Sequence, residues 1–325
     1  MANEVKKLNA IAVGDIKNLN TLTDANIKEF NAQEWSSGPA HVWSSASAMH
    51  DSMSGAGGHQ IGQVNTAVVV AGGYEGAFTD DTQERNSTTW TTESATISAT
   101  RQEAGAGGSA TSGLIFGGWP GAGGNTNVTE EYNGTAWSSG GNIPVAKGAN
   151  RGTGVSQTAM IEALGSVEDG GGKGAGDNAS TYNGTSWSTI TDPDEPAQYV
   201  SSFGESDAAY FCGGYGYPGA MNGVQSWNGS SWTEGSLTLR ISQHQQGFSF
   251  GSSSAAVLGG GAGATTGTSY GSNKDHADKW NGTAFSATST VPYGLNDMMG
   301  AGSQAAGTAF GGGGGSHVDT CVTYA

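Results

Sequence analysis

The chain has 325 residues, 57 of them glycine and only 7 proline, and its 28 acidic against 12 basic side chains leave a net charge of −16. A chain this acidic repels nucleic-acid phosphates and anionic membranes, and no run approaches the ~20 apolar residues of a membrane-spanning helix. Nine Trp, ten Tyr and nine Phe exclude a disordered chain, so glycine without a three-residue period reads as a protein made mostly of turns.

Residues 1–35 are expected to form an extension outside the main domain. They open with Met-Ala-Asn-Glu-Val-Lys-Lys, which lacks the apolar stretch of a secretory leader. A short repeat follows, 15–20 (Asp-Ile-Lys-Asn-Leu-Asn) against 26–31 (Asn-Ile-Lys-Glu-Phe-Asn), in register at 11 residues. Ile16 and Leu19, then Ile27 and Phe30, put two apolar residues three apart in each copy. Such a pattern suits a docking segment for a larger assembly, or a strap on the wall of the main domain.

From residue 36 onward the chain repeats. The unit 132–138 (Tyr-Asn-Gly-Thr-Ala-Trp-Ser) returns at 182–188, 227–233 and 280–286, with a degraded copy at 85–91. Its closing aromatics, Trp43, Trp90, Trp137, Trp187, Trp232 and Phe285, are separated by 47, 47, 50, 45 and 53 residues. An apolar run ending in a glycine doublet keeps the same pace: Gly72-Gly73, Gly117-Gly118, an eroded Leu164-Gly165, Gly213-Gly214, Gly259-Gly260 and Gly311-Gly312. A repeat of this length marks a propeller or another array.

Each unit carries four strand signals. In the clearest one, 101–110 is a small-residue inner strand and 112–118 a buried strand ending in glycines. An alternating strand at 128–132 and an outer strand at 136–138 follow. Asn133-Gly134 reads as a type I′ hairpin turn, which needs positive φ at both central residues. Six such units predict an all-β, six-bladed propeller over 36–325. The last unit stops at Val322-Thr323-Tyr324-Ala325, short of its outer strand, while 41–44 is an outer strand with no doublet before it. The N-terminal strand is therefore expected to close the ring beside the C-terminal one.

The unit resembles the kelch repeat: Arg101 ahead of the inner strand, the Gly-Gly doublet, then Tyr and Trp at fixed distance. The first copy lacks the Tyr, and Phe285 replaces a Trp. Kelch-like propellers include a copper oxidase, but its two histidine ligands find no matching spacing among His41, His50, His59, His244, His276 and His317. A sialidase box also fails, because Tyr182 stands where its aspartate belongs. The extension followed by Asn-Gly-Thr-x-Trp repeats resembles the starts of bacteriophage virion proteins, especially appendages of marine phages.

Chemistry is otherwise sparse. Cys212 and Cys321 read as buried thiols. The acidic residues Asp80, Asp81, Glu168, Asp169, Asp192, Asp194 and Glu195 suit solvation, with a structural Ca²⁺ as the lesser reading; no other cofactor or metal site is expected. The Asn-Gly-Thr and Asn-Gly-Ser triplets also match glycosylation sequons, which their place in turns explains. What remains is a face: Tyr74, Phe78, Trp119, Tyr215, Tyr217 and Tyr270 follow the doublets, in loops that a propeller gathers on one side. Aromatic rings beside Asn, Asp and Gln suit sugars. The sequence thus leads to a non-enzymatic virion attachment protein, made in the host cytoplasm without a leader and carried on the particle surface. It would be a homo-oligomer or bound to other virion proteins, and it would bind a host glycan or a protein, with no nucleic-acid or membrane partner. A structural decoration without ligand, and a glycan-cleaving enzyme, are the alternatives.

Overall fold

Short strands, most of three to six residues, separated by glycine turns bury little on their own, so they gain stability by stacking as repeated sheets. The computed structural model describes residues 41–55, 61–168, 173–216, 219–239, 247–262, 275–313 and 318–325. These residues form a six-bladed β-propeller. The docking residues Ile16, Leu19, Ile27 and Phe30 lie outside the described residues, as do Tyr217 and Tyr270.

After β1 (Trp43–Ser45), blade 1 holds β2 (Ala67–Tyr74), β3 (Phe78–Asn86) and β4 (Thr89–Glu93). Its inner edge is supplied by residues 61–64: the Ile61 carbonyl accepts from Val69 N–H, and Gly62 bonds to Gly108 and Gly302 of the two neighbouring blades. Blade 2 is β5 (Gly105–Ser109), β6 (Ser112–Phe116), β7 (Thr129–Tyr132) and β8 (Trp137–Ser139). Blade 3 is β9 (Arg151–Ser156), β10 (Ala159–Ala163), β13 (Ala179–Tyr182) and β14 (Trp187–Thr189), interrupted by a hairpin of β11 (Ser166–Glu168) and β12 (Lys173–Ala175). Blade 4 is β15 (Ser201–Glu205), β16 (Ala208–Cys212), β19 (Val224–Trp227) and β20 (Trp232–Thr233), with its own inserted hairpin of β17 (Tyr215–Gly216) and β18 (Gly219–Ala220). Blade 5 is β21 (Phe248–Ser252), β22 (Ala255–Gly259), β23 (Ala277–Trp280) and β24 (Phe285–Ala287). Blade 6 joins β25 (Met299–Ser303), β26 (Ala306–Phe310) and β27 (Cys321–Tyr324) to β1. The N-terminal strand closes the ring as expected, with Trp43 opposite Tyr324 and Ser45 opposite Val322.

The core lies between blades. Leu114 and Phe116 of blade 2 meet Met160, Tyr182 and Trp187 of blade 3; Phe248 and Phe250 of blade 5 meet Ala309, Val322 and Tyr324 of blade 6. Inner strands are built of small residues because those rings need the room: a Cβ on Gly152 would come within 2.4 Å of the Phe116 ring. Indole N–H groups add a second link, from Trp137 to Thr82 at 2.8 Å and from Trp187 to Thr129 at 2.9 Å. Tyrosine hydroxyls repeat the motif, Tyr132 donating to Glu84 and Tyr182 to Glu131, each at 2.6 Å.

One register position on the third strand is polar although buried: Gln83, Glu130, Ser180, Gln225 and Asp278. Three of these hold the loop that enters their own blade. Gln83 accepts from His50 N–H at 3.0 Å, Glu130 from Ser98 N–H at 2.8 Å, and Gln225 donates to the Glu195 carbonyl at 2.9 Å. Buried backbone groups need partners, and these side chains supply them where no ladder passes.

Four details depart from the sequence reading. Arg101 lies four residues ahead of β5, not in it, and forms a buried ion pair with Glu130. The strand before the first doublet runs through it, so Tyr74 and Phe78 are paired strand ends and not loop residues. In blade 5 the left-handed pair is Gly260-Gly261, one residue later than expected, with φ of 66° and 84°. The Asn-Gly turns are four-residue loops, not type I′: Gly134 has φ of 93° while Asn133 stays outside the left-handed region. The Asn133 side chain caps the loop instead, accepting from the N–H groups of Thr135 and Ala136, both at 3.0 Å.

Candidate functional site

In every blade the connections from second to third strand, and from outer strand to the next inner strand, emerge on the same face. A recurring backbone bridge locks these two sets of loops together: Ser54 to Tyr74, Gln102 to Trp119, Gly148 to Ser166, Gln198 to Tyr215 and Asn296 to Gly313. Except in blade 3, where Leu164 stands first, the doublet ahead of the bridge is glycine because the neighbouring chain passes so close; a Cβ on Gly214 would sit 2.6 Å from the Gln198 carbonyl oxygen. Tyr74, Trp119 and Tyr215 therefore share one repeat position, in blades 1, 2 and 4.

Three of the aromatics singled out from the sequence come together. Phe78 lies edge-on between Tyr74 and Trp119, with ring centroids at 5.3 and 5.4 Å, and all three are half-buried. Tyr215 lies apart. It lines a cavity of about 920 Å³ with Gln198, Met221, Asn222, Glu195 and Glu234, a volume in the range of small-molecule sites. Desolvation pushes the Glu234 carboxyl above its ordinary range, helped by the charges of Asp194 and Glu195. The cavity is thus acidic at its rim and apolar at Tyr215 and Met221.

A second feature sits at the mouth of the central channel. The residues two places ahead of the inner strands, Glu103, Ala149, Tyr199 and Asp297, all adopt left-handed backbone, with φ of 58°, 48°, 59° and 55°. Gly55 of blade 1 matches them at 59°. Hydrogen bonds link this ring: Tyr199 N–H donates to Ala149, and Glu103 N–H to Gly55. Tyr199 also reaches past blade 3, its hydroxyl donating to Glu103 at 3.4 Å.

Arg151, the first residue of β9, lies within this ring at 4% exposure. Its Nη1 donates to the Asn150 carbonyl at 2.9 Å, and its Nε meets no partner. Burial pulls its pKa down, opposed by the charges of Asp297, Glu103 and Tyr199. Asp297 belongs to blade 6, opposite blade 3, yet its charge is felt at Arg151. Desolvation, then the charge of Glu103, push the Asp297 carboxyl up to about 7, against the pull of Arg151. Strongly shifted groups in a recess mark functional sites.

None of these four residues stood out in the sequence. Ala149 and Gly55 occupy the equivalent places, so no residue type repeats there, and only the position relative to the inner strand could have found them. The acidic loop residues scatter: Asp192 accepts from Ala179 N–H at 3.1 Å, Glu168 from Asn125 N–H at 3.2 Å, and Asp194 and Glu195 line the blade-4 cavity. Asp169 lies outside the described residues. Among the described residues no group of three or more His, Cys, Asp or Glu is placed to hold a metal ion. Cys212 and Cys321 are buried and unpaired, and burial pushes the Cys212 thiol up, away from reactivity.

The class defined by this architecture is the six-bladed β-propeller. No protein-family profile and no curated protein matches the sequence. Among solved structures, the chain is similar to YjhT, with a TM-score of 0.68 and 14% sequence identity over 86% of this chain and 95% of that one. At that identity the likeness is one of fold.

Proposed function

We propose that this chain is a non-enzymatic attachment protein whose propeller binds a surface glycan through the face that carries Tyr74, Phe78, Trp119 and Tyr215. The observation behind this reading is the blade-4 cavity, where a half-buried tyrosine ring and a methionine face Gln198, Asn222 and carboxylates. Sugars present apolar C–H faces together with directional hydroxyls, and such a lining matches both. The negative rim of Asp194, Glu195 and Glu234 disfavours acidic polysaccharides and favours neutral ones.

The reading extends to origin. Arg101 ahead of the inner strand, the doublets and the Tyr–Trp pairs support descent from kelch-type repeats. The composition and the 1–35 segment support a bacteriophage particle protein that docks through its N-terminus and works as a homo-oligomer or beside other virion proteins.

The test is a binding screen of the full-length protein against bacterial cells and their purified surface polysaccharides, scored for both retention and breakdown. Saturable retention, without breakdown, that falls with Tyr215→Ala or Trp119→Ala supports the reading. A folded protein that is retained on no surface overturns it, and breakdown would make it an enzyme instead.

A further inference from the structure

The closing aromatics of the fourth strands tie each blade to the chain of the blade before it. Trp137 and Trp187 reach threonine hydroxyls, Trp232 donates to the Thr191 carbonyl at 2.7 Å and Trp43 to that of Ser289 at 3.1 Å, while Phe285 has no donor to place. Trp90 of blade 1 is the exception. Its ring packs against Phe310 of blade 6 at 5.0 Å, as Trp187 packs against Phe116 of blade 2 at 4.9 Å. Its indole N–H, however, is buried and meets no acceptor of the protein. One residue accounts for this. Thr129 stands opposite Phe116, whereas Cys321 stands opposite Phe310, and its thiol, a weak acceptor, is paired with the Thr308 hydroxyl at 3.3 Å.

A second mismatch belongs to the same blade. Arg85 holds the register of Tyr132 and Tyr182, whose hydroxyls donate to Glu84 and Glu131 of the preceding blade. In blade 6 the register of those glutamates holds Thr323. Arg85 is 4% exposed, and its Nε and Nη1 meet no acceptor of the protein. Buried donors without partners carry a desolvation cost, which is relieved when the group reaches water. The chain itself straps this joint. Ala46 and Met49 donate their N–H groups to the Cys321 and Asp319 carbonyls on the blade 6 side, at 3.0 and 2.8 Å, and His50 N–H donates to Gln83 of blade 1 at 3.0 Å. We propose that the ring has a preferred opening joint between blades 6 and 1. It parts there ahead of global unfolding, as locally weak regions of a fold do, and the strap keeps the two blades tethered so that the joint recloses. This device does not depend on what the propeller binds.

The two cysteines report on two different joints. Cys321 is buried in the cluster of this one, with Trp90, Met299 and Phe310, and Cys212 in that of blades 4 and 5, with Ala256, Leu258 and Trp280. The test labels the native full-length protein with excess iodoacetamide and follows each cysteine by peptide mass spectrometry. Cys321 is expected to label at least about tenfold faster than Cys212 in buffer. The two rates should converge as denaturant brings in global unfolding, which exposes both thiols. Arg85→Met removes the unmatched guanidinium and is expected to slow Cys321 by about tenfold while leaving Cys212 unchanged. If that variant does not fold, Arg85→Tyr with Thr323→Glu, which installs the pair of blades 2 and 3, decides by the same readout. Equal labelling of the two cysteines, or faster labelling of Cys212, overturns the opening joint. So does a fast Cys321 that ignores the Arg85 variants, because fraying of the C-terminal strand exposes that thiol without parting the blades.

Discussion

Trp43 lies directly opposite Tyr324 in the closing strand pair, their ring centroids 5.0 Å apart, and the Trp43 indole N–H donates to the Ser289 carbonyl of the preceding blade's loop at 3.1 Å. One residue thus completes blade 6 and ties it to the chain leaving blade 5. Trp43→Ala is expected to lower unfolding free energy by about 2–4 kcal/mol. An unchanged denaturation midpoint would show that ring closure does not depend on this strand.

The doublets make a sharper prediction. Gly117 has φ of 62°, and a Cβ there would lie 2.6 Å from the Lys147 carbonyl oxygen. Gly117→Ala adds backbone strain to a clash with main chain that cannot rotate away, so a loss of about 2–3 kcal/mol is expected. Gly123→Ala is the control, since at φ of 83° it meets nothing within 4 Å; its loss should stay near 1 kcal/mol, from strain alone. Equal losses in the two variants would remove close approach as the reason for the doublet.

Leu164 breaks the doublet rule in blade 3, holding φ of 64° with a fully buried side chain. Leu164→Gly relieves about 1 kcal/mol of strain but empties a site in a cluster with Ile161, Val200 and Phe211, a loss of about 3–4 kcal/mol. Net destabilisation is expected in thermal unfolding. A stabilised variant would mean that strain outweighs packing here.

Arg101 and Glu130 test the buried pairs. Arg101→Met alone leaves a buried carboxylate, with an expected loss of about 3–5 kcal/mol, whereas Arg101→Met with Glu130→Leu should recover most of it. Chemical denaturation of the two single variants and the double one gives the coupling. Additive losses would show that the two side chains do not act as a pair.

Asp297 sets a pH dependence. Its folded carboxyl titrates near 7 while the ordinary value is 3.8, so the folded state binds that proton more tightly than the unfolded chain. The contribution is fully present below about pH 4 and is lost as pH rises toward 7. Asp297→Asn should therefore raise stability relative to the parent at pH 8, on the order of 2 kcal/mol, with little difference at pH 4. Parallel melting curves across this range would contradict the assignment.

The propeller was legible because its signals are local and repeated. A doublet, an Asn-Gly turn and a Trp in phase identify a blade even when one copy is worn, as Arg85 opposite Trp90 shows in blade 1. The turn geometry differs from the expectation for a physical reason: Asn133 satisfies the loop with its side chain, an option that a backbone-only rule leaves out. Tyr74, Phe78 and Trp119 were legible because each follows a doublet, although their mutual contact crosses from blade 1 to blade 2. The channel mouth was invisible. Its residues come from four blades and share no residue type, so no repeated signal marks them.

The inserted hairpins β11–β12 and β17–β18 both interrupt the connection from second to third strand, starting at the locking bridge, while the opposite face of blades 2 to 5 keeps four-residue Asn-Gly loops. Each hairpin starts at its bridge residue, Ser166 or Tyr215, and lies outside the four-stranded sheets of the blades. The molecule therefore separates what must stay fixed from what is free to evolve, and a lineage carrying this chain can exchange one recognition surface for another without ever having to refold.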